Sequence, residues 1–124
     1  MPHAINWFEI PAKDLPRAKR FYEAILQVAM PETPGPMKMA MFPADWRQGE
    51  IGGAIVEGEG YVPSDAGALV FLNGGEDLSR ILDRVQAAGG KVLMPKTAIP
   101  MEGSGFIAMF LDSEGNRIGL HSMG

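Results

Sequence analysis

The chain has 124 residues and a mass of 13.4 kDa, enough for one domain with a sizeable core. Its 11 Lys and Arg against 15 Asp and Glu leave a net charge of −4 and a pI near 5.1, and with no basic run this argues against nucleic acid as a partner. The absence of cysteine excludes disulfides, thiolate metal ligands and a cysteine nucleophile, and no apolar stretch approaches the roughly 18 residues of a membrane span.

Residues 1–14 lack the basic region and apolar run of a signal peptide, so a cytoplasmic protein is expected. Residues 5–10, rich in aromatic and β-branched types, read as a strand. Asp14 is a candidate N-cap, with Pro16 tolerated in the first helical turn. Leu15, Ala18, Phe21, Tyr22, Ile25 and Leu26 then recur at helical spacing, predicting a helix to Leu26 or Gln27. Short strands follow near 28–30, 37–42 and 51–56.

The pattern then repeats. Asp14-Leu15-Pro16-Arg17 recurs as Asp77-Leu78-Ser79-Arg80, and 77 − 14 is 63. Ala40-Met41-Phe42 recurs as Ala108-Met109-Phe110 at an offset of 68, and Ile51-Gly52 as Ile118-Gly119 at an offset of 67. A second strand is expected at Leu69–Leu72 and a second helix under Leu78, Ile81, Leu82, Val85 and Ala88, stopped by Gly89-Gly90. Strands near 91–94, 106–111 and 117–121 close the chain, the last two joined by the turn Ser113-Glu114-Gly115-Asn116. The sequence therefore predicts an α+β protein of two β-α-β-β-β modules, 1–64 and 65–124, each with a helix on one face of a small sheet. Side by side, the sheets make a cupped surface with the helices outside.

Alternation assigns the faces. Phe8, Ile10, Ile118 and Leu120 should pack under the helices. Trp7, Glu9, Arg117, Gly119 and His121 should share the concave side, with Val70 matching Trp7 and Gly52 matching Gly119 by the repeat.

The phrases Trp7-Phe8-Glu9-Ile10-Pro11, Asp14-Leu15-x-Arg17-Ala18-x-x-Phe21-Tyr22 and Asp112-x-Glu114-Gly115-Asn116-x-Ile118-Gly119-Leu120 resemble the vicinal oxygen chelate superfamily. That superfamily includes glyoxalase I, bleomycin resistance proteins and extradiol dioxygenases. The likeness to small bacterial proteins related to lactoylglutathione lyase covers nearly the whole chain. It implies one glyoxalase-like domain over 1–124, a small-molecule ligand and a homodimer. Metal-dependent members carry His or Gln on the first strand of a module, seven residues before the D-L, and Glu on the last strand. Those positions fall on Trp7, Val70, Gly52 and Gly119, none of which can ligate a divalent ion through its side chain.

The expected function is therefore binding of a small, partly apolar molecule in the concave sheet with no metal cofactor. Glu9 and His121 are the acid–base candidates, Glu9 setting the imidazole tautomer or raising its pKa. Trp7 and Arg117 are the ligand-binding candidates, one as a stacking platform and the other for an anionic group. The bland readings stand beside these: Trp7 as core, Glu9 and Arg117 as an ordinary ion pair, His121 on a solvated rim, His3 uninvolved. Met30, Met37, Met39 and Met41 are either an adaptable pocket wall or ordinary packing. Residues 95–105 are either a lid or a connection. A two-residue register slip would instead bring Glu9 and His121 into ligand positions for a divalent metal ion, giving a lyase, isomerase or dioxygenase. A third alternative is a non-catalytic protein that sequesters a drug.

Overall fold

The computed structural model describes residues 3–124. The fold is α+β, with two helices and two mixed sheets. Strand β1 (Trp7–Pro11) leads into helix α1 (Leu15–Leu26), then β2 (Lys38–Met41), a short 3-10 turn (Trp46–Gln48) and β3 (Gly52–Glu57). The second half repeats this as β4 (Val70–Asn73), α2 (Ser79–Ala88), β5 (Lys91–Ala98), β6 (Phe106–Leu111) and β7 (Arg117–Ser122). The sheets run β1-β3-β2 and β4-β7-β6-β5, with parallel β1/β3 and β4/β7 pairs and antiparallel pairs elsewhere. Among the described residues no helix is long and apolar enough to cross a membrane.

Each D-L pair starts its helix by the same device. The Asp14 side chain accepts from the Arg17 N–H at 3.1 Å, capping α1. The Leu15 N–H donates to Glu57 Oε1 at 2.7 Å, and the Leu78 N–H donates to Ser122 Oγ at 3.0 Å. In both halves, therefore, the end of the last strand satisfies an N–H at the helix start that has no partner within the helix. Both leucines are buried. The helices stop at Gln27 and Gly89, each in the left-handed conformation.

Three expectations need correction. No strand forms at 28–30; just beyond it Glu32 makes an isolated bridge to Ala40. Pro31, Pro34 and Pro36 surround that bridge and lack the N–H a ladder needs. Strand β5 runs on to Ala98, past the expected end at 94, so the following loop is only 99–105. It crosses Pro95 because β5 is an edge strand with irregular register between Met94 and Thr97. Finally, Val70 does not match Trp7. Trp7 pairs with Gly52, whereas Gly119 pairs with Phe71, and Val70 packs toward the core. The chain from the strand to the D-L is one residue shorter in the second half (77 − 71 is 6; 14 − 7 is 7), so counting back from D-L lands one position off.

One cluster of buried side chains draws on both halves. It includes Ile10, Phe21, Tyr22, Ile55, Leu78, Val85, Phe110 and Leu120, with Phe8 packed against it. Phe8, Ile10, Ile118 and Leu120 thus face the helices as alternation requires. The opposite faces of the two sheets are left to carry the site.

Candidate functional site

On that opposite face, each parallel strand pair holds an aromatic ring against a glycine. Trp7 lies beside Gly52, and Phe71 beside Gly119. A Cβ on Gly52 would stand 3.2 Å from the Trp7 ring and closer still to Trp46, while one on Gly119 would meet the Phe71 ring at 2.6 Å. The glycines are needed because the rings occupy the space a side chain would take.

Trp46, on the 3-10 turn, completes the first of these surfaces. Its ring centroid is 6.0 Å from that of Trp7, with the planes at 59°. Trp46 is 60% exposed, unusual for the largest apolar side chain. The pair opens onto a cavity of about 670 Å³ that His3, Asn6 and Glu50 also line. Met39 and Met41 stand opposite Val56 and Ala54 on the same face as Trp7, whereas Met30 is in the core and Met37 is exposed. None of the four lines the cavity at the tryptophan pair.

Glu9 sits beside Trp7 and is held by neutral donors. The Trp7 Nε1–H donates to Oε2 at 3.2 Å, and the Tyr61 hydroxyl donates to Oε1 at 2.7 Å. That bond, then burial, then the Glu9 charge push the Tyr61 hydroxyl pKa up. Glu9 and Arg117 line one cavity of about 220 Å³ with residues of β1, β4 and β7, yet they form no ion pair with each other. The ordinary ion-pair reading is therefore wrong. Arg117 makes no side-chain hydrogen bond among the described residues.

His121 lies on the open face of the second sheet, opposite Asn73 and Ile107. Its Nε2 is 2.8 Å from the Ser104 carbonyl oxygen. A carbonyl can only accept, so Nε2 carries the proton and Nδ1 is the basic nitrogen of the neutral ring. No hydrogen bond joins Glu9 to His121, and they line different cavities. Ser104 sets the tautomer, the role expected of Glu9. The same bond ties the loop 99–105 to β7.

The divalent ion that the fold implies does not fit these residues. The aligned positions are Trp7, Gly52, Phe71 and Gly119, which offer no side-chain donor atom. Among the described residues no group of three His, Asp or Glu is placed to hold a metal ion. Trp46, Tyr61 and Phe71 were not singled out from the sequence. A lone tryptophan in a polar turn was the available signal for Trp46, and the aromatic–glycine repeat was that for Phe71.

The other conspicuous motif is not at the site. Asp112-x-Glu114-Gly115-Asn116 forms the β6–β7 turn and fastens the two halves together. Asp112, buried, accepts from the Tyr22 hydroxyl at 2.7 Å and from the backbone N–H groups of Glu114 and Asn116. Burial, then the charge of Asp112, raise the Tyr22 pKa well above its ordinary value. Asn116 Nδ2 donates to the Pro11 carbonyl at 2.8 Å, and its Oδ1 accepts from the Ser64 N–H at 3.0 Å.

No curated protein matches this chain. Among solved structures it resembles a hypothetical protein from S. aureus, with 19% identity, TM-score 0.73, and coverage of 97% of this chain and 94% of that one. It also resembles an E144Q mutant of glyoxalase I from Zea mays (22%, 0.74), covering 98% of this chain but 47% of that one. The fosfomycin resistance protein FosX from Listeria monocytogenes shares the fold at 18% identity and TM-score 0.65, with 98% and 92% covered. A model of the Glyoxalase/Bleomycin resistance protein/Dioxygenase superfamily matches residues 4–120. Because that match runs through both helices and into the last strand, the chain belongs to the glyoxalase/bleomycin resistance protein/dioxygenase superfamily.

Proposed function

We propose that the chain is a small-molecule-binding protein that holds a flat, partly apolar ligand on the open face carrying Trp7 and Trp46, without a metal ion. The observation that carries this reading is the tryptophan pair over Gly52, exposed Trp46 against half-buried Trp7, with Trp7 and Gly52 standing where a metal-dependent relative would need ligating side chains. Arg117 is the group suited to an anionic substituent, and His121 Nδ1 the nitrogen suited to take a proton. Glu9 is less available as a base, since both of its oxygens accept hydrogen bonds. The reading treats residues 1–64 and 65–124 as modules of one domain and includes a cytoplasmic homodimer, which light scattering at micromolar concentration should show at twice the chain mass.

The chain has 2 tryptophans, Trp7 and Trp46, so its intrinsic tryptophan fluorescence reports on this face alone. A panel of planar aromatic compounds is expected to contain one that quenches this emission saturably. Trp46→Ala should then weaken that compound about tenfold or more, from lost stacking and apolar contact. A ligand indifferent to Trp46→Ala would place binding elsewhere. Thermal unfolding of chelator-treated protein should show no shift with Ni²⁺, Co²⁺, Zn²⁺, Mn²⁺ or anaerobic Fe²⁺. An ion bound at about 100 times its dissociation constant would add roughly 2.7 kcal/mol, or several degrees. A saturable shift lost in Glu9→Gln and His121→Ala would replace this reading with a metal-dependent enzyme.

A further inference from the structure

The second copy of the aromatic-over-glycine arrangement stands beside an imidazole. Phe71 is held against Gly119 on the open face of the second sheet and remains 45% exposed. His121 lies two residues along β7 from Gly119, so its ring projects from the same face. Phe71, His121, Asn73 and Met123 line one cavity of about 500 Å³. It shares no lining residue with the cavity at the tryptophan pair.

The half-buried His121 gives this cavity a defined polarity. Its Nε2–H is committed to the Ser104 carbonyl at 2.8 Å, which leaves Nδ1 as an acceptor with no partner among the described residues. No Asp, Glu, Lys or Arg lines the cavity. The surface therefore offers an ordered apolar ring, the flexible thioether of Met123 and one acceptor nitrogen.

We infer that this cavity is a separate small-molecule site, for a flat, uncharged, apolar ring that carries one hydrogen-bond donor. The ligand ring packs on Phe71 and Met123, and its N–H or O–H donates to His121 Nδ1. Asn73, exposed at the cavity edge, has its Oδ1 engaged by the Gly75 N–H at 2.9 Å, and its remaining amide donors are not needed by such a ligand. The site does not rest on ligand binding at the tryptophans.

The probes are indole and 1-methylindole, titrated into the full chain labelled with nitrogen-15. Methylation adds apolar area and removes the donor. Area alone therefore predicts tighter binding of 1-methylindole, whereas the Nδ1 acceptor predicts weaker binding. Indole should saturate shifts of the Gly119 and Met123 amides and of His121 Nδ1, with 1-methylindole about fivefold weaker. The His121 ring signals are told from those of His3 by their loss in His121→Gln. That variant keeps a side-chain N–H for the Ser104 carbonyl without the ring Nδ1, and should bind the two probes equally. Phe71→Ala should weaken both about tenfold, and Phe71→Leu, with a several-fold loss, serves if Phe71→Ala does not fold. The proposal is overturned if 1-methylindole binds as tightly as indole, if the Phe71 variants bind normally, or if the second-sheet signals stay unmoved up to the solubility limit of indole. Shifts confined to the Trp7 and Trp46 ring N–H signals would overturn it while leaving the tryptophan-face reading standing.

Discussion

Glu114→Ala should lower the stability of the chain by about 3 kcal/mol at neutral pH, far beyond the effect of an ordinary surface carboxylate. Glu114 sits on the β6–β7 turn of the second half, with its side chain wholly buried. Its Oε1 accepts from the backbone N–H groups of Lys13 and Asp14, each at 2.9 Å, at the entrance to α1 in the first half. Its Oε2 accepts from Arg17 Nε at 2.7 Å and from the Ser113 hydroxyl at 2.9 Å. The negative charge also lies near the positive end of α1. Arg17 is half exposed, so its share is screened by solvent, and the two backbone donors to the buried carboxylate carry most of the effect.

Burial by itself would raise the Glu114 pKa. The bonds from Arg17, Asp14, Ser113 and Lys13 outweigh it and hold the group at about 2, below the ordinary 4.5. The native value lies below the unfolded one. The contribution is therefore fully present above about pH 4.5 and is lost as the pH falls toward 2. Urea unfolding at pH 7 and at pH 3 checks both points: the gap between wild type and Glu114→Ala should narrow in acid. Glu114→Ala within about 0.5 kcal/mol of wild type at pH 7 would show that the turn does not fasten the halves.

Phe110→Ala should cost about 4 kcal/mol, by loss of buried area and by the cavity left behind. Phe110 is fully buried on β6, and its ring lies 6.0 Å from that of Phe21 on α1. Phe21 meets Tyr22 edge-on at 5.0 Å, and Tyr22 meets Phe42 at 5.4 Å. This run of rings crosses from the second half to the far side of the first. The joint thus has an apolar centre beside the polar clamp of Asp112 and Glu114. Damage at Phe110 should be felt in the first half, where both tryptophans lie. The unfolding curves from tryptophan fluorescence and from far-ultraviolet circular dichroism should move together by the same amount. Separated curves would mean that the halves unfold independently and that the shared core contributes little.

Local features of this chain were legible without any tertiary information. The helical stripes of α1 and α2, the Asp14 cap, the Gly89 stop and the β6–β7 turn follow from short-range sterics and hydrogen bonding. The repeated D-L and aromatic phrases were enough to indicate the superfamily and the two-module α+β plan. Alternation correctly placed Trp7, Glu9, Arg117 and His121 away from the helices, because a strand has only two faces.

Tertiary structure decided the rest. Pairing register depends on connection length, so one residue fewer between β4 and its D-L exchanged Val70 for Phe71 opposite Gly119. The strand expected at 28–30 found no partner strand in space, and only Glu32, beyond it, bridges to Ala40. Tyr61 reaches Glu9 from 52 residues away, and Glu114 reaches Asp14 across 100. No periodicity encodes such contacts. The Glu114 contact arises because packing the two halves around one core brings distant polar groups together, where the buried carboxylate must find partners.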